Sequence, residues 1–462
     1  MIAIYVYAAL LALLAGSSFI FIKKESKKQG FAVSVAIMLA LEAISVYSFS
    51  LLKMGQAQNS LAFGFLVLSP FSSFMLSVFM FVAVLVMLLA YRYSSNYPVF
   101  LFLFSISIVG MSIVIMSYSF ISIIIGMELL SLPTMLLILS SGRQHAESSI
   151  KFFIMSSIAI GLLAFSIALI LPYDGSLTVR VMPYSFNYQI GLAMLLFAVA
   201  LGIEASIFPF NLWIPDVYQG SPDYITPMLA SINKKIAFVV LLEVFFISMF
   251  TFSKEFSPLW ALLSILTMFF GNLVALVQDN VKRMLAYSSI SQAGYIAIGI
   301  AAATSAGFTA SVFQIIAHMF MILVAFTSVL ILSKHGINNV KEYSGLASKN
   351  QFIAFSLTIS FLSMIGVPPL MGFFGKFLLF SSAISSNLFY LAFFGIINSI
   401  ISIYYYFRVI MAMYSPSLQK YKHIYVSKEA SIVLSVSTSI IILLGIFPQI
   451  ILYPIEFIAN NL

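Results

Sequence analysis

Residues 351–382 read QFIAFSLTISFLSMIGVPPLMGFFGKFLLFSS. The run is longer than the roughly 20 apolar residues a helix needs to cross a bilayer. Gly366-Val367-Pro368-Pro369 splits it near the middle, and Lys376 follows shortly after as its only charge. Proline removes a backbone donor and kinks a helix, and carbonyls freed at membrane depth are tolerated only beside protein or water. The stretch therefore reads as a membrane helix broken in mid-span, with an ionisable residue just past the break.

Extending that reading outward yields fourteen apolar spans: 2–22, 31–52, 67–91, 98–117, 119–140, 148–171, 188–208, 226–250, 257–277, 284–303, 308–333, 351–382, 387–410 and 430–452. They lack period-2 alternation, so they are helices rather than barrel strands. The 462 residues are 62% hydrophobic and only 8% charged, against about a quarter charged in a soluble domain. A soluble enzyme, a secreted domain and a disordered chain are excluded. The fold class is an all-α polytopic membrane protein in one membrane domain. The chain contains no cysteine, which excludes disulfides, iron–sulfur ligation and thiol catalysis. Four histidines, one of them deep in an apolar run, leave little room for a bis-histidine haem or a zinc site.

A second break falls in the seventh span. Pro209 ends the run Gly202-Ile203-Glu204-Ala205-Ser206-Ile207-Phe208, and Trp213-Ile214-Pro215-Asp216 follows as a short irregular segment. The broken spans are the seventh and the twelfth, five apart. Because five is odd, that spacing implies two five-span units of opposite orientation, a pattern of ion-translocating folds. The organisation expected is 1–97 for the first three helices, 98–250 for one repeat, 257–410 for the other, and 430–452 for a last helix.

Basic residues orient the spans. Lys23, Lys24, Lys27, Lys28, Arg92, Arg143, Lys282, Arg283, Lys334, Lys341, Lys349, Arg408, Lys420, Lys422 and Lys428 fall at one set of span ends, and only Lys53, Arg180 and Lys254 at the other. The positive-inside rule then places both termini outside, in a cell (plasma) membrane. The first span has no cleavage-site pattern and reads as a retained helix rather than a signal peptide. The net charge of +8 is thereby a topology signal, and no nucleic-acid partner is expected.

Four bases, Lys151, Lys234, Lys235 and Lys376, lie within or at the edge of apolar runs, as do the acids Glu42, Glu128, Glu204 and Glu243. A charge at the centre of a membrane helix costs about 2.5–3.5 kcal/mol on insertion scales, so such residues usually face a bundle interior or a hydrated cavity and move ions or protons. The competing reading is an interfacial, snorkelling or static packing role. It weighs most for Lys151, close to a span end, for Glu42, outside the cluster of motifs, and for Glu243, near the far end of its span. His318 sits mid-span, where it is either a hydrogen-bonded core residue or a proton relay working near neutral pH.

At these segments the chain resembles the N-type subunits of proton-pumping NADH–quinone oxidoreductase, respiratory complex I. The resemblance rests on Gly126-Met127-Glu128-Leu129-Leu130-Ser131-Leu132-Pro133, on Glu147-Ser148-Ser149-Ile150-Lys151-Phe152 and on Phe208-Pro209-Phe210-Asn211-Leu212-Trp213-Ile214-Pro215-Asp216. It continues through Asn280-Val281-Lys282-Arg283-Met284-Leu285-Ala286-Tyr287, then Gly372-Phe373-Phe374-Gly375-Lys376 after the Pro368-Pro369 break. The tyrosine-rich run Ser402-Ile403-Tyr404-Tyr405-Tyr406-Phe407-Arg408 favours the N-type over its L and M relatives. The resemblance implies fourteen helices, inverted repeats at helices 4–8 and 9–13, and breaks in helices 7 and 12. It also implies a proton route along a hydrated Glu/Lys axis, with Glu128 as the helix-5 glutamate, Lys151 the helix-6 lysine, Lys234 or Lys235 the helix-8 lysine and Lys376 the helix-12 lysine. Quinone, flavin and iron–sulfur clusters would sit on partner subunits, with no cofactor on this chain. The partners implied are membrane subunits of the A, H, J, K, L and M types and, through them, the peripheral iron–sulfur arm, all in a lipid bilayer.

The chain departs from the family pattern at Glu204, where Lys is usual, at Asn211, often His, and at Gln292, His in some relatives. Glu204 in place of Lys removes the usual helix-5/helix-7 charge pair. The expectation is that Lys151 partners Glu128 and that Glu204 carries protons in the first half-channel. Two alternatives share the fold: a cation/proton antiporter of the Mrp type, and an inert scaffold that retains the helices without the transport. No motif supports quinone binding here; the 46 Phe and 23 Tyr are read as lipid contact, helix packing and interfacial belts.

Overall fold

The computed structural model describes residues 2–24, 27–55, 59–62, 64–174, 177–179, 186–416 and 424–461. Arg180, Lys420 and Lys422 of the charge count lie outside them, as do the side chains of Lys23 and Lys24. In chain order the elements are α1 (Ile2–Lys24), α2 (Lys27–Lys53), the hairpin β1 (Ser60–Ala62) and β2 (Leu66–Leu68), α3 (Pro70–Tyr93), α4 (Tyr97–Ile115), α5 (Phe120–Ser140), α6 (Ala146–Asp174), α7 (Tyr188–Ala205), α8 (Trp213–Gly220), α9 (Thr226–Met228) and α10 (Lys234–Glu243). They continue as α11 (Ser253–Leu276), α12 (Val281–Ala302), α13 (Ser305–Ser333), α14 (Leu346–Lys349), α15 (Gln351–Ile365), α16 (Met371–Ser385), α17 (Phe389–Tyr414), α18 (Lys428–Ile446) and α19 (Gln449–Ala459). Among the described residues, 11 helices are long and apolar enough to cross a membrane, and shorter apolar helices cover Val6–Ser18, Gln351–Ile365, Met371–Ser385 and Gln449–Ala459.

Helix starts follow local chemistry. Ser69 and Ser119 close capping boxes at α3 and α5, and the side chains of Asn96, Asn280, Thr304, Asn350 and Ser427 accept backbone N–H groups at α4, α12, α13, α15 and α18. These oxygens satisfy donors that a helix end cannot satisfy itself. Both expected breaks are present: α7 stops at Ala205 before α8 begins at Trp213, and Gly366–Leu370 separates α15 from α16. Gly366 has φ +98°, a left-handed conformation that glycine adopts without steric cost, and it terminates α15.

Four spans differ from expectation. The third, expected as helix from 67, opens in β2 and becomes helical only at Pro70. The seventh stops at 205 rather than 208. The last, expected over 430–452, is two helices, because the chain turns at Phe447-Pro448 and restarts as α19. The eighth, over 226–250, is not one regular helix: π-helical turns at Leu229–Asn233 and Val244–Ser248 bracket α10.

The chain forms two compact units. One comprises Met1–Ala205 and Ile232–Ser253 with the chain end; the other comprises Ser206–Ser231 and Lys254–Asn460. In the first, α4 and α5 approach closely at glycines. A Cβ on Gly110 would lie 2.6 Å from the Leu129 carbonyl carbon, and one on Gly126 would lie 2.6 Å from a Val114 methyl. Small residues let helix backbones meet where no hydrophobic drive separates lipid from protein. In the second unit α13 is the centre, buried from Gly307 to Leu332 and packed by α12, α15, α16, α18 and α19.

Between α13 and α14, Glu342 accepts the N–H groups of Asn338 and Asn339 at 2.6 and 2.7 Å. These bonds hold its carboxyl below the usual carboxylate range. A group whose folded value is depressed stabilises the loop fully above its unfolded value and loses that contribution as pH falls through the folded one. Hydrogen exchange at Asn338 and Asn339 should accordingly speed up as pH drops below about 4, once the intrinsic pH dependence of exchange is corrected for. In Glu342→Gln the exchange should already be fast at neutral pH.

Gly126→Leu should destabilise the protein by about 1–3 kcal/mol through overpacking against α4. Gly161→Leu on α6, where an added Cβ meets nothing within 4 Å, should be close to neutral. Thermal melting of the two variants in the same detergent checks the pair.

Candidate functional site: buried charges beside broken helices

In the first unit, Glu128 lies on α5, Lys151 on α6 and Glu204 one residue before the end of α7. Glu128 and Lys151 are half-buried. The ion pair of Lys151 runs to Glu147, 2.7 Å away and one turn earlier on the same helix, where Glu128 was the expected partner. A spacing of four residues brings such a pair together on one helix, and it requires no second element. Glu204 is hydrogen-bonded by Ser156 of α6 and has Glu128 as its acidic neighbour. One Glu204 carboxylate oxygen, Oε1, is buried without a protein hydrogen-bond partner. The two glutamates and Ser156 are thus brought together as a group.

Lys234 and Lys235 are buried, at 2% and 0% exposure, at the start of α10 directly after a π-helical turn. Asn233, the last residue of that turn, donates through Nδ2 to the Thr134 hydroxyl at 2.9 Å. Thr134 follows Pro133 inside α5, so the turn is tied to the proline-bearing part of the Glu128 helix. A π turn inserts an extra residue and re-aims the side chains after it; here those side chains are the two lysines. The Lys235 ammonium lies 5.6 Å from the Phe238 ring centroid and has no hydrogen-bond partner among the described residues. Glu243 is buried at the other end of α10, with Oε2 likewise unpartnered. Glu42 is half-buried on α2.

In the second unit, Lys376 is buried one turn into α16. Its ammonium donates to the Ile365 carbonyl at 2.9 Å and lies 4.4 Å from the Tyr295 ring centroid. Ile365 is the last residue of α15, so the carbonyl is one that the break leaves without a helical partner. The neighbouring Met364 carbonyl accepts from Gln292 Nε2 at 3.4 Å, and Gln314 Nε2 donates to Gln292 Oε1 at 2.9 Å. Gly366 also keeps room for the lysine stem, since a Cβ there would sit 3.2 Å from Lys376 Cδ. His318 is fully buried midway along α13. Asn211, in the first break, is fully buried with neither amide atom hydrogen-bonded in the protein. Most buried polar groups in native proteins are hydrogen-bonded; the Asn211 amide is an exception among the described residues.

Residue typing missed three groups around these sites. Tyr295 and Gln314 look like ordinary helix residues in sequence, and only packing places them at Lys376 and Gln292. In sequence, Lys282 and Arg283 read as orientation signals alone. Lys282 Nζ also meets Asp223 Oδ1 at 2.6 Å and the Ser221 carbonyl at 2.7 Å, while Arg283 Nη1 meets Asp216 Oδ1 at 2.9 Å. They fasten the segment after the first break to the start of α12. The visible signal was that Asp216 and Asp223 are the two acids between Glu204 and Glu243, matched by two adjacent bases.

Comparison with known proteins converges on one family. The family model described as "NADH:quinone oxidoreductase/Mrp antiporter, TM" matches residues 117–402. NADH-quinone oxidoreductase subunit N of Ruthia magnifica subsp. Calyptogena magnifica is 34% identical over 358 residues, 74% of this chain and 73% of the relative. The subunit N of Cytophaga hutchinsonii is 36% identical over 353 residues, 74% and 76% of the two chains. A chain of respiratory complex I from Thermus thermophilus, solved with bound aureothin, superposes with a TM-score of 0.84 at 25% identity, covering 96% of this chain and 98% of that one. A chain of the Mrp complex from Dietzia sp. superposes at 0.89 with 19% identity, covering 99% and 97%, a likeness of fold alone. The buried lysines, the two breaks and these matches agree: the chain belongs to the NADH:quinone oxidoreductase/Mrp antiporter family, with the N-type subunits of NADH-quinone oxidoreductase.

Proposed function

We propose that this chain is a proton-translocating membrane-arm subunit of a quinone-reducing respiratory complex, with Glu128, Lys151, Glu204, Lys234, Lys235, His318 and Lys376 as the groups that hold and pass protons. The observation that carries the reading is the placement of Lys376, whose buried ammonium is bound to a carbonyl that a helix break sets free. A buried ammonium held by one neutral oxygen is poorly compensated. Its charge state therefore responds to small changes in nearby charge and hydration, which is what a proton-passing group requires. Electron transfer takes place on partner subunits, which hold flavin, iron–sulfur clusters and quinone; this chain, with no cysteine, supplies the proton side. Its membrane partners are subunits of the A, H, J, K, L and M types.

The reading includes two inverted repeats, helices 4–8 and 9–13, within fourteen spans and with both termini outside. A matched pair of backbone bridges supports the repeats. Ser119 pairs with Thr178 and Asn280 with Asn339, each antiparallel. Position 280 lies 161 residues after 119, and 339 lies 161 residues after 178. The same offset at both partners is the register expected of a repeated unit, with each bridge joining the start of one long helix to the loop after the next.

The Mrp-type alternative makes a different prediction. Vesicles holding this chain alone should show sodium-driven proton flux if it is an antiporter and none if it is a complex I subunit. Within the assembled complex, Lys376→Ala should reduce pumping several-fold while part of the electron transfer persists, measured as proton uptake per quinone reduced. Unchanged pumping would identify a scaffold. Glu204→Gln should also lower that ratio, and full pumping in a well-assembled Glu204→Gln complex would remove Glu204 from the route.

A further inference from the structure

The Lys376 ammonium has three N–H groups to place, and among the described residues its hydrogen bond runs to the Ile365 carbonyl. Beside that bond it lies over the face of the Tyr295 ring, 4.4 Å from the centroid. Both residues are buried, at 4% and 0% exposure. A cation within about 6 Å of a ring centroid is drawn to the negative ring face, and more strongly where water is kept away. The ring is held from outside its own helix, α12. Its hydroxyl meets the Ser399 hydroxyl at 3.1 Å and the Gly395 carbonyl at 3.4 Å, both on α17. Asn272 of α11 is a further neighbour of that hydroxyl. Asn272 is fixed in turn: Nδ2 donates to the Asn398 carbonyl and side-chain oxygens at 3.1 and 3.0 Å, and Oδ1 accepts from the Tyr405 hydroxyl at 3.0 Å. The Phe380 ring of α16 packs beside Tyr295 with centroids 6.3 Å apart. Gly395 leaves the space for it, since a Cβ there would lie 2.4 Å from the Phe380 ring.

These contacts fix where the ring face points, and it points at Lys376, the one charge on α16. The tyrosine-rich stretch of α17 thereby gains a use, because Tyr405 steadies Asn272 beside the Tyr295 hydroxyl. A leucine at position 295 would fill much of the same space and offer the ammonium nothing. We propose that Tyr295 is a positioning residue for proton transfer, whose ring face binds the ammonium form of Lys376 at the helix break. The proposal rests on the proton-passing role given to Lys376 above.

The test changes the charge distribution of the ring and keeps its shape. In the assembled complex Tyr295→Phe is the reference, and phenylalanines bearing one, two and three ring fluorines are then placed at the same position. Fluorine is close to hydrogen in size and draws electron density from the ring face, so packing persists while the attraction for a cation declines. Protons moved per quinone reduced should fall stepwise along the series. The third fluorine should bring a several-fold loss, from a hold on the charge weakened about ten-fold. Tyr295→Leu should lose at least as much. Quinone reduction, carried out on partner subunits, should persist throughout and reports assembly. A flat or rising series, or Tyr295→Leu pumping as well as Tyr295→Phe, would reduce the ring to packing and overturn the proposal. Lys376→Ala in the same assay separates the two readings. Normal pumping there removes the route through Lys376 and the role of Tyr295 with it, whereas lost pumping there with a flat fluorine series removes the role of Tyr295 alone.

Discussion

A backbone carbonyl in lipid has no water to turn to, so a helix can be interrupted only where something else takes the freed oxygens. That constraint organises the second unit. The break after α15 presents the Met364 and Ile365 carbonyls, and two side chains from other positions, Gln292 and Lys376, donate to them. The break and the buried lysine are therefore one device. The lysine partly satisfies the break, and the break gives the ammonium an oxygen that no intact helix would offer. Gly366, with its left-handed backbone, and Gly375, where an added Cβ would collide with the Gln314 amide, let the parts approach.

The first unit meets the same problem differently. There the irregularity near the lysines is a pair of π turns around α10 rather than a proline break, and the Asn233 side chain bonds Thr134 beside Pro133. Lys234 and Lys235 are both buried there, and the Lys235 ammonium lies 5.6 Å from the Phe238 ring centroid. Structural charges behave otherwise. Lys282 and Arg283 have their carboxylates at 2.6 and 2.9 Å, and their ion pairs fasten a segment. Lys235 and Lys376, by contrast, meet an aromatic ring and a backbone carbonyl rather than a carboxylate.

Much of this was legible in the residues. Proline and glycine inside apolar runs announced the breaks at 209 and 366–369, because their backbone restrictions act locally. The buried status of Lys234, Lys235 and Lys376 followed from the length of the apolar runs around them. Other features were not legible. The π turns flanking α10 have no proline or glycine to betray them; the turns span Leu229–Asn233 and Val244–Ser248. The pairing of Lys151 with Glu147 rather than with Glu128 is a choice between two carboxylates that run length cannot rank. The last span hid a turn at Phe447-Pro448, where Pro448 was read as part of a continuing helix and Gly445 packs against the Pro369–Leu370 backbone.

Membrane helices, the two breaks, the absence of thiol and iron–sulfur chemistry and the set of misplaced charges were determined by sequence alone, since each depends on composition or on the local geometry of one segment. Only the tertiary structure decided which oxygen each charge meets: Ile365 for Lys376, Glu147 for Lys151, Asp223 for Lys282 and two tyrosine rings for Lys27. Apart from the Glu147–Lys151 pair, one turn apart on one helix, these partners stand 11 to 70 residues apart in the chain and meet over a few ångströms, and no periodicity in the chain encodes that choice.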